Sequence, residues 1–350
     1  MSKKVMVGMS GGVDSSVAAY LLKEQGYDVI GCTLHLFDAD SSCCGIEGAY
    51  DAKVVCRKLG IDHKIIHFNE LFSEKVINYF VDEYRRGFTP NPCIACNYYI
   101  KWQAMLDEAR KEGCDYIATG HYAYIKHLPN GRYAFSKAKS QAKDQSYVLY
   151  NLSQEMLKST LMPLGDYEKD DVRRIAEDIG LMIADKPDSQ DICFVENGDY
   201  YGFMVNHCGY SEKPGHFVDK EGNILGDHQG ISHFTIGQRK GLGIAFGEPR
   251  YVLGINPLTR EVVLGSNEDL MTTKLKCNMV NAMAVESFAI GQRLSAKIRY
   301  SHKGENATVS SVSETGLELS FDAPVRAVTP GQAVVFYDGD IVLGGGHITQ

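Results

Sequence analysis

The sequence predicts an α/β protein in which a parallel-sheet domain is followed by a β-rich region and a C-terminal β-barrel. From residue 1 to about residue 195, short apolar runs alternate with amphipathic helical segments. This is the order of a parallel sheet with helices on both faces. After Cys193, glycine and short alternating segments dominate. From about residue 271 such segments recur between turn residues at a spacing typical of a barrel.

Each element has its own signal. The apolar run at 5–9 predicts the first strand, the run that begins at Val17 predicts a helix, and the glycines and serines between them predict a tight turn. Further strands are predicted at 29–34, 63–68 and 116–119, and helices at 49–59 and 72–86. The β-rich segments lie at 251–255, 261–264, 294–300, 307–312, 316–321 and 333–337. Ligands of parallel sheets bind outside the carboxyl ends of the strands, so residues 10–16, Leu34 and residues 120–121 are expected to share one pocket.

Composition and charge limit the classes of protein to which this chain can belong. Of its 350 residues, 44% are hydrophobic and 23% are charged, which is ordinary for a globular protein in water. No apolar stretch approaches the roughly 18 residues that span a bilayer, and the N-terminus leads directly into a strand. We therefore expect a cytoplasmic protein without membrane contact, as a monomer or weak dimer. The net charge of −8 argues against non-specific coating of nucleic acid, but allows a structured RNA bound through local basic patches.

The ten cysteines are not expected to form a disulfide framework in a reducing compartment. Pro90 and Pro92 precede the CxxC segment 93–96 and are expected to keep it out of a helix, in an exposed loop where a thiolate is reactive. The vicinal pair 43–44 is predicted on another loop, either without a catalytic role or as an accessory thiol. Four cysteines in apolar contexts are expected to fill the core: Cys32, Cys56, Cys114 and Cys277.

The turn at residues 10–16 reads SGGVDSS and has the features of a site for a negatively charged group. A turn between a strand and a helix presents several backbone N–H groups to one point, and the helix dipole adds positive charge there. Gly11 and Gly12 allow an anion to approach the backbone closely. The turn lacks the lysine of the Walker motif, so backbone amides would hold a pyrophosphate. Asp14 would repel a bare phosphate, and we expect a magnesium ion or an internal N–H contact beside it.

Eight motifs follow one another along the chain: SGGVDSS at 10–16, TPNPC at 89–93, CN at 96–97, IK at 100–101, TGHYA at 119–123, KDQSY at 143–147, DICF at 191–194 and GQRKGLG at 237–243. In this order they are similar to those of the tRNA-specific 2-thiouridylases, whose PP-loop is that of the ATP pyrophosphatases. The resemblance spans nearly the whole chain. It implies a Rossmann-like PP-loop nucleotide-binding domain at 1–197, a small central β-rich domain at 198–270 and a C-terminal β-barrel at 271–350. It also implies an enzyme that uses ATP to place sulfur on the wobble uridine of tRNA.

The resemblance implies three sets of site residues. ATP, with Mg²⁺, would be bound by Gly8, Met9, Ser10, Gly11, Gly12, Val13, Asp14, Ser15, Leu34 and Gly120. The anticodon stem-loop of tRNA would be bound by Asn91, Pro92, Cys93, His121, Lys143, Asp144, Gln145, Arg299, Tyr300 and Gln332. Catalysis would rest on Cys96, Cys193 and Cys93. From its own context alone, His121 is better interpreted as a core histidine.

A sulfur relay between Cys193 and Cys96 is implied by the same resemblance. Cys193 would receive a persulfide from a sulfur-carrier protein or cysteine desulfurase, and ATP would adenylate the uracil carbonyl at carbon 2. The persulfide sulfur would displace AMP. Cys96 would attack the Cys193 persulfide to release sulfide, or resolve it, and would leave a Cys96–Cys193 disulfide. The chain departs from the family at Cys93, where many members carry an aspartate credited with handling the target base or a proton. Cys93, Cys96 and Cys193 would alternatively hold a 4Fe–4S cluster whose fourth iron binds sulfide.

Other functions remain open from the residues themselves. A CxxC pair also fits zinc or a redox pair. An amide-forming synthetase that uses ammonia would share the ATP loop, but it has no need of paired cysteines. A non-enzymatic RNA-binding or redox-sensing protein would not turn over ATP at all, so the release of AMP in the presence of tRNA separates it from both enzymes.

Overall fold

The structure is a computed structural model that describes five segments of the chain: residues 2–37, 46–184, 192–195, 198–244 and 247–349. Cys43, Cys44 and Asp191, which occur in the sequence motifs above, lie outside these segments. The described residues form three β-sheets. Within the same residues, no helix combines the length and the apolar character that a membrane crossing requires.

A five-stranded parallel sheet forms the centre of the N-terminal region, as the sequence predicts. Its strands are β1 Lys4–Gly8, β2 Asp28–His35, β3 Asp62–His67, β4 Tyr116–Ala118 and β7 Thr160–Leu161, in the spatial order β3-β2-β1-β4-β7. Each neighbouring pair is parallel. Val5, Met6 and Val7 of the central strand are fully buried, as expected for a sheet covered on both faces. The chain continues from β1 to β2 on one side and adds β4 on the other, which creates a switch point between β1 and β4.

The α-helices of the described residues are α1 Val13–Glu24, α2 Ile46–Leu59, α3 Asn69–Phe72, α4 Asn78–Arg85, α5 Pro92–Cys96, α6 Met105–Lys111, α7 Gln154–Lys158, α8 Lys169–Asp178 and α9 Tyr200–Cys208. The π-helical segment Ser73–Ile77 joins α3 to α4, and Asn97–Ala104 joins α5 to α6. The helix predicted at 72–86 is therefore one helical run that begins three residues earlier, at Asn69, and contains a π-helical stretch.

The helix after the SGGVDSS turn begins earlier than predicted. It starts at Val13 rather than at Val17, and Gly12 is its N-cap residue. Asp14 and Ser15 consequently lie in the first helical turn, at the positive end of the helix dipole. The apolar periodicity does not reveal this turn, because Asp14, Ser15 and Ser16 follow its single apolar residue, Val13.

The prediction that prolines keep the CxxC segment out of a helix is wrong. Helix α5 begins at Pro92 and ends at Cys96. Proline is favoured at the first position of a helix, because the N–H group that it lacks would have no helical partner there. Asn91 caps the helix, since its side-chain oxygen accepts a hydrogen bond of 3.2 Å from the backbone N–H of Cys93. The dipeptide Asn91-Pro92 therefore begins a helix here and does not end one.

A four-stranded sheet forms the central region. Its strands are β8 Gly215–Val218, β9 Ile224–His228, β10 Tyr251–Asn256 and β11 Glu261–Gly265, in the order β10-β11-β8-β9. Strands β8 and β11 are parallel, whereas the other two pairs are antiparallel. Phe217, Val252 and Val262 are fully buried in a small core of their own. The β-rich character predicted for this region is confirmed.

The C-terminal strands close into a six-stranded barrel, which confirms the predicted fold class. They are β12 Met271–Ala282, β13 Arg293–Lys297, β14 Glu305–Val312, β15 Gly316–Arg326, β16 Ala333–Asp338 and β17 Ile341–Ile348. The barrel closes because β12 pairs with both β15 and β17. A hairpin of the N-terminal region, β5 Ala123–His127 and β6 Tyr133–Lys137, extends this sheet by pairing Ser136 with Ile341. The domain boundaries at 197 and 270 stay predictions.

Candidate active site

A cavity opens at the carboxyl edge of the parallel sheet, at the switch point between β1 and β4. It is lined by Gly8, Met9, Ser10, Asp14, Ser15, Leu34, Leu36, Lys101, Met105, Thr119, Gly120, His121 and Gln145. This set includes seven of the residues predicted to bind ATP. His121 and Gln145, predicted to contact RNA, line the same cavity, and so does Lys101 of the IK motif, to which the sequence analysis gave no role. The strand ends meet as their positions in the sequence predict.

Gly11, Gly12 and Val13 belong to the predicted ATP set but are not among the residues that line this cavity. Gly11 has a φ of +74°, and a Cβ atom there would overlap the backbone of Gly48 in α2. Val13 is buried in the hydrophobic core beside the sheet. Glycine at position 11 is therefore explained by its left-handed backbone and by the close packing of α2.

The serine hydroxyls of the turn form hydrogen bonds within the turn itself. The backbone N–H of Ser10 donates to Oγ of Ser15 at 3.2 Å, and the hydroxyl of Ser16 donates to the carbonyl of Gly12 at 2.9 Å. These bonds hold the backbone at the beginning of α1, where Gly12 supplies no side-chain cap. An uncapped helix N-terminus in a shaped cavity is suited to an anionic group.

Two residues from distant parts of the chain hold the carboxylate of Asp14. The ammonium nitrogen of Lys169 lies 2.7 Å from Oδ1 and 2.8 Å from Oδ2, and the hydroxyl of Tyr122 donates to Oδ1 at 2.7 Å. Lys169 is buried at the first position of α8. Of the two partners predicted for Asp14, a magnesium ion or an internal N–H contact, the ammonium group of Lys169 supplies the N–H contact, and the phenol of Tyr122 adds an O–H donor. Lys169 was not predicted, because it lies 155 residues from Asp14 and no local pattern marks it.

His121 is packed against the wall of the cavity as a neutral side chain. Its Nδ1 atom lies 2.8 Å from the hydroxyl oxygen of Thr119, and its ring centroid lies 5.5 Å from that of Trp102. Burial holds the pKa of His121 well below its ordinary value of 6.5, and the positive charge of Lys101 lowers it further. The ring is therefore packed like a core histidine and also lines the cavity, and its contact with RNA stays a prediction.

Cys96 and Cys193 meet at one apolar cluster. Cys96 is only 7% exposed and belongs to a cluster that includes Phe80 of α4 and Phe194. Cys193 is half-buried and packs against the same cluster. The ring of Phe194 anchors the second segment, with its centroid 5.5 Å from that of Phe80 in an edge-on arrangement. Cys96 is therefore buried, which corrects the prediction that the whole CxxC segment is exposed.

The three cysteines considered for a metal cluster do not form a metal-binding group. Cys93 is exposed on α5, whereas Cys96 points into the apolar cluster. Across the described part of the chain, no group of three or more histidine, cysteine, aspartate or glutamate side chains is arranged to hold a metal ion. The residues as they stand do not fit a 4Fe–4S cluster or zinc, and we derive no step through either.

The four cysteines expected to fill the core are indeed buried: Cys32, Cys56, Cys114 and Cys277. Burial raises the pKa of the Cys32, Cys56 and Cys277 thiols to about 12, and it also raises the pKa of Cys114. Because the thiolate is the nucleophile, these side chains are inert near neutral pH.

A second cavity lies where the N-terminal region, the central sheet and the barrel meet. Asn91, Pro92 and Gln332, all predicted to contact RNA, line it together with Ile192, which directly precedes the second predicted catalytic cysteine. The side-chain amide of Gln332 donates to the carbonyl of Thr89 at 2.7 Å, so it also joins the barrel to the segment before α5. The other lining residues are Tyr84, Thr89, Pro90, Tyr200, Ser232, His233, Thr235 and Gln238.

Four more residues predicted to contact RNA lie where the hairpin meets the barrel, namely Lys143, Asp144, Arg299 and Tyr300, whereas Cys93 lies on α5. Asp144 is buried, and its carboxylate accepts a hydrogen bond of 2.8 Å from the hydroxyl of Ser146. The hydroxyl of Tyr300 donates to the backbone carbonyl of Asp144 at 3.0 Å. Arg299 donates to a backbone carbonyl at the end of β15, also at 3.0 Å, and Lys143 is half-buried beside Asp144. Asp144 and Tyr300 therefore shape this surface through contacts with each other.

Comparisons with known proteins agree along the whole chain. A family model described as the tRNA methyl transferase HUP domain matches residues 3–197. Models described as the tRNA methyl transferase PRC-barrel domain and the aminomethyltransferase beta-barrel domain match residues 202–266 and 272–348. The tRNA-specific 2-thiouridylase MnmA of Lachnoclostridium phytofermentans is 56% identical, over 99% of this chain and 100% of the relative. That of Clostridioides difficile is 53% identical, over 100% of this chain and 99% of the relative.

A solved structure, that of a 4-thiouridine synthetase–RNA complex with bound ATP, has a TM-score of 0.36 and 18% identity. It covers 55% of this chain, and the match covers 45% of that chain. This likeness is too distant to carry an argument. The family model and the full-length relatives carry the comparison instead.

Proposed function

This chain belongs to the family of the tRNA-specific 2-thiouridylases, and on that premise we propose that it is an ATP-dependent sulfurtransferase that makes 2-thiouridine at the wobble position of tRNA. The observation that carries the proposal is the shared apolar cluster that contains Cys96 and against which Cys193 packs. Cys96 and Cys193 come from segments far apart in the sequence, and Leu36 of the same apolar cluster lines the cavity at the carboxyl edge of the parallel sheet. This arrangement suits a reaction that combines nucleotide activation with sulfur transfer.

ATP would occupy the cavity at the switch point, with its phosphates toward the beginning of α1 and Gly120. Mg²⁺ would arrive with ATP as part of the substrate. The oxygen on carbon 2 of the uracil would attack the α-phosphorus, and pyrophosphate would leave. The uncapped N-terminus of α1 supports this placement, because backbone N–H groups and the helix dipole stabilise the negative charge that develops on the leaving group.

Sulfur would reach the activated uridine through the two cysteines. Cys193 would accept a sulfur atom as a persulfide from a sulfur-carrier protein or cysteine desulfurase. The terminal sulfur would attack carbon 2 and displace AMP, which forms a C–S–S link to Cys193. The thiolate of Cys96 would then attack the sulfur of Cys193, release the thiolated base, and leave a Cys96–Cys193 disulfide. An external dithiol would reduce that disulfide to two thiols and would itself be oxidised to a disulfide.

The tRNA would bind across the second cavity and the surface where the β5–β6 hairpin meets the barrel. Asn91, Pro92 and Cys93 would border the target base, which must leave the stack of the anticodon loop to react. The other RNA contacts would come from His121, Lys143, Asp144, Gln145, Arg299, Tyr300 and Gln332. The position of the second cavity supports this, because residues of all three regions line it.

A thiolation assay tests the proposal. The protein is incubated anaerobically with unmodified tRNA, ATP and a persulfide donor, and 2-thiouridine is quantified by mass spectrometry together with AMP. We expect product from the wild-type protein and none from Cys193→Ser. Cys208→Ser is the matched control, because Cys208 packs against the same cluster and has no role in the relay. Cys93→Ala distinguishes the persulfide relay from the 4Fe–4S alternative. That alternative predicts an iron-dependent visible absorption of the wild-type protein, which this variant would lose.

Two results would contradict the proposal. Wild-type protein that releases no AMP with tRNA would point to a non-enzymatic binding protein. A Cys193→Ser variant that retains full activity would favour an amide-forming synthetase, which shares the nucleotide site but needs no paired thiols.

A further inference from the structure

The GQRKGLG motif at residues 237–243 forms a loop of the central region, and we call it the GQRKGLG loop. The side chain of Gln238 holds this loop in shape. Its Oε1 atom accepts a hydrogen bond of 2.9 Å from the backbone N–H of Thr235, and its amide nitrogen donates to the carbonyl of Lys240 at 3.0 Å. Leu242 anchors the other end, because it is buried in the small core of the central sheet. The proposed ATP and sulfur steps make no use of this loop.

The GQRKGLG loop is fixed to the barrel at Gly237. The carbonyl oxygen of Gly237 accepts a hydrogen bond of 3.3 Å from the guanidinium of Arg326, the last residue of β15. The backbone N–H of Gly237 donates to the carbonyl of Val252 in β10 at 2.8 Å. A side chain does not fit here, because φ is +87° and a Cβ atom would lie 2.8 Å from that of Ala327. The loop is therefore held both by the central sheet and by the barrel.

The loop carries two exposed cations. Arg239 and Lys240 are exposed, and neither side chain forms a hydrogen bond or an ion pair with another residue that the structure describes. Glu248 is the only acidic residue between positions 234 and 250 of the sequence, and its carboxylate lies 2.5 Å from a guanidinium nitrogen of Arg250. Because the protein has a net charge of −8, the loop is a local positive patch on an acidic molecule.

The contacts of the loop join two parts of the surface across which the tRNA is proposed to bind. Gln238 lines the second cavity together with Asn91 and Gln332. Arg326, which donates to the loop, accepts at its own backbone carbonyl a hydrogen bond of 3.0 Å from Arg299. The loop thus connects the cavity proposed for the target base to the surface where the β5–β6 hairpin meets the barrel.

We propose that Arg239 and Lys240 bind phosphate groups of the tRNA beside the target base. Arginine and lysine bind phosphate oxygens through N–H donors and positive charge, and a backbone that is already fixed loses less entropy on binding. Such contacts carry no information about base sequence, so they position the anticodon arm and add affinity. The inference rests on the proposed function, since it extends the proposed tRNA surface onto the central sheet.

Binding of unmodified tRNA to the full-length protein tests the inference. The affinity is measured by fluorescence anisotropy at several salt concentrations, without ATP or a sulfur donor. Arg239→Gln combined with Lys240→Gln is expected to weaken tRNA binding about tenfold or more at low salt, because two phosphate contacts are lost. The slope of log Kd against log salt concentration should fall by about 1 to 2, since fewer counterions are released on binding.

A second Arg-Lys pair provides the matched control. Arg110 and Lys111 lie at the end of α6, and each is already paired with a glutamate. Arg110→Gln combined with Lys111→Gln removes the same two charges and should change the Kd for tRNA less than about twofold. A control that loses as much affinity as the loop variant would contradict the inference, because the effect would then be one of net charge alone.

The thiolation assay separates binding from chemistry. The variant with glutamine at positions 239 and 240 should have a raised KM for tRNA and an unchanged kcat, because neither side chain touches the reacting atoms. Exchange of the two residue types, Arg239→Lys with Lys240→Arg, keeps both charges and should bind tRNA nearly as the wild type does.

Three outcomes would overturn the inference. The first is a glutamine variant that retains the wild-type affinity and salt slope, which leaves the proposed function intact. The second is a glutamine variant that binds tRNA normally but accepts sulfur more slowly from a protein donor, which would mean that the loop docks the sulfur donor. The third is a wild-type protein that binds no tRNA, in which case the proposed function fails together with the inference.

Discussion

The ammonium nitrogen of Lys169 lies 2.7 Å and 2.8 Å from the two carboxylate oxygens of Asp14, so the first residue of α8 neutralises the acidic residue in the first turn of α1. The SGGVDSS turn lacks the lysine that the Walker motif places beside bound phosphates. Lys169 brings a positive charge to the turn from a distant part of the chain. The residues of the turn alone do not reveal this positive charge, which makes the turn better suited to phosphate groups.

Replacement of Lys169 tests this charge balance. Lys169→Met is expected to weaken ATP binding about tenfold or more, because the carboxylate of Asp14 is then unopposed and repels the phosphates. The exposed Lys158→Met is the control and should bind ATP as the wild type does. The double variant Asp14→Asn, Lys169→Met should recover part of the lost ATP affinity, because it also removes the carboxylate that repels the phosphates. Unchanged ATP affinity of the single variant in a titration would refute this role.

The sulfur relay predicts where sulfur stops when Cys96 is removed. In Cys96→Ser, Cys193 can still accept a persulfide, but no thiolate is present to resolve the link to the base. After incubation with a persulfide donor, we expect mass spectrometry to show one extra sulfur atom on the protein. Peptide mapping should place that sulfur atom on Cys193. Multiple turnover of tRNA should be lost. A variant that turns over repeatedly would mean that another thiol, or none, resolves the persulfide.

Gly120 is predicted to be intolerant of a side chain. A Cβ atom at this position would lie 2.7 Å from the backbone nitrogen of Ser15 and 2.8 Å from the carbonyl carbon of Asp14. Gly120→Ala should lower the free energy of unfolding by about 1 to 3 kcal/mol, the usual cost of overpacking, and should also weaken ATP binding. Gly254→Ala is the control, because nothing lies within 4 Å of a Cβ atom there. Equal melting temperatures and ATP affinities for the two variants would refute this prediction.

The lowered pKa of His121 predicts a dependence of stability on pH. As the pH falls below about 6.5, His121 of the unfolded chain takes up a proton that the folded protein does not bind. The free energy of unfolding therefore decreases with falling pH, by up to about 1.4 kcal/mol per pH unit for this one group. His121→Asn should show a shallower decrease in melting temperature between pH 7 and pH 5.

An exposed histidine provides the control for this measurement. His127→Asn should follow the wild-type dependence on pH, because the side chain is exposed. His63, His228 and His302 also have a pKa lowered by burial, so a residual slope is expected in the His121 variant. Identical slopes for His121→Asn and the wild type would show that His121 is protonated in the folded state as readily as in the unfolded one.

The fold class was predictable because its signals are local. Periodic apolar runs predict the parallel sheet and the β-rich regions, and the SGGVDSS segment joins the first strand to the first helix as expected, although its last four residues already belong to the helix. Helix ends were less predictable. The first turn of α1 is mostly polar, and Pro92 begins a helix that it was expected to prevent, because a proline at the first position and a proline in the interior have opposite effects.

The sequence by itself determined the order of the elements, the SGGVDSS turn and the family motifs, because each depends on residues that are neighbours in the chain. Tertiary structure alone decided that Lys169 pairs with Asp14, that Cys193 packs against the cluster of Cys96, and that a hairpin of the N-terminal region joins the barrel. These contacts join residues far apart in the sequence, and no local periodicity records which distant side chains will meet. They form only when burial of the apolar surfaces brings the separate elements together.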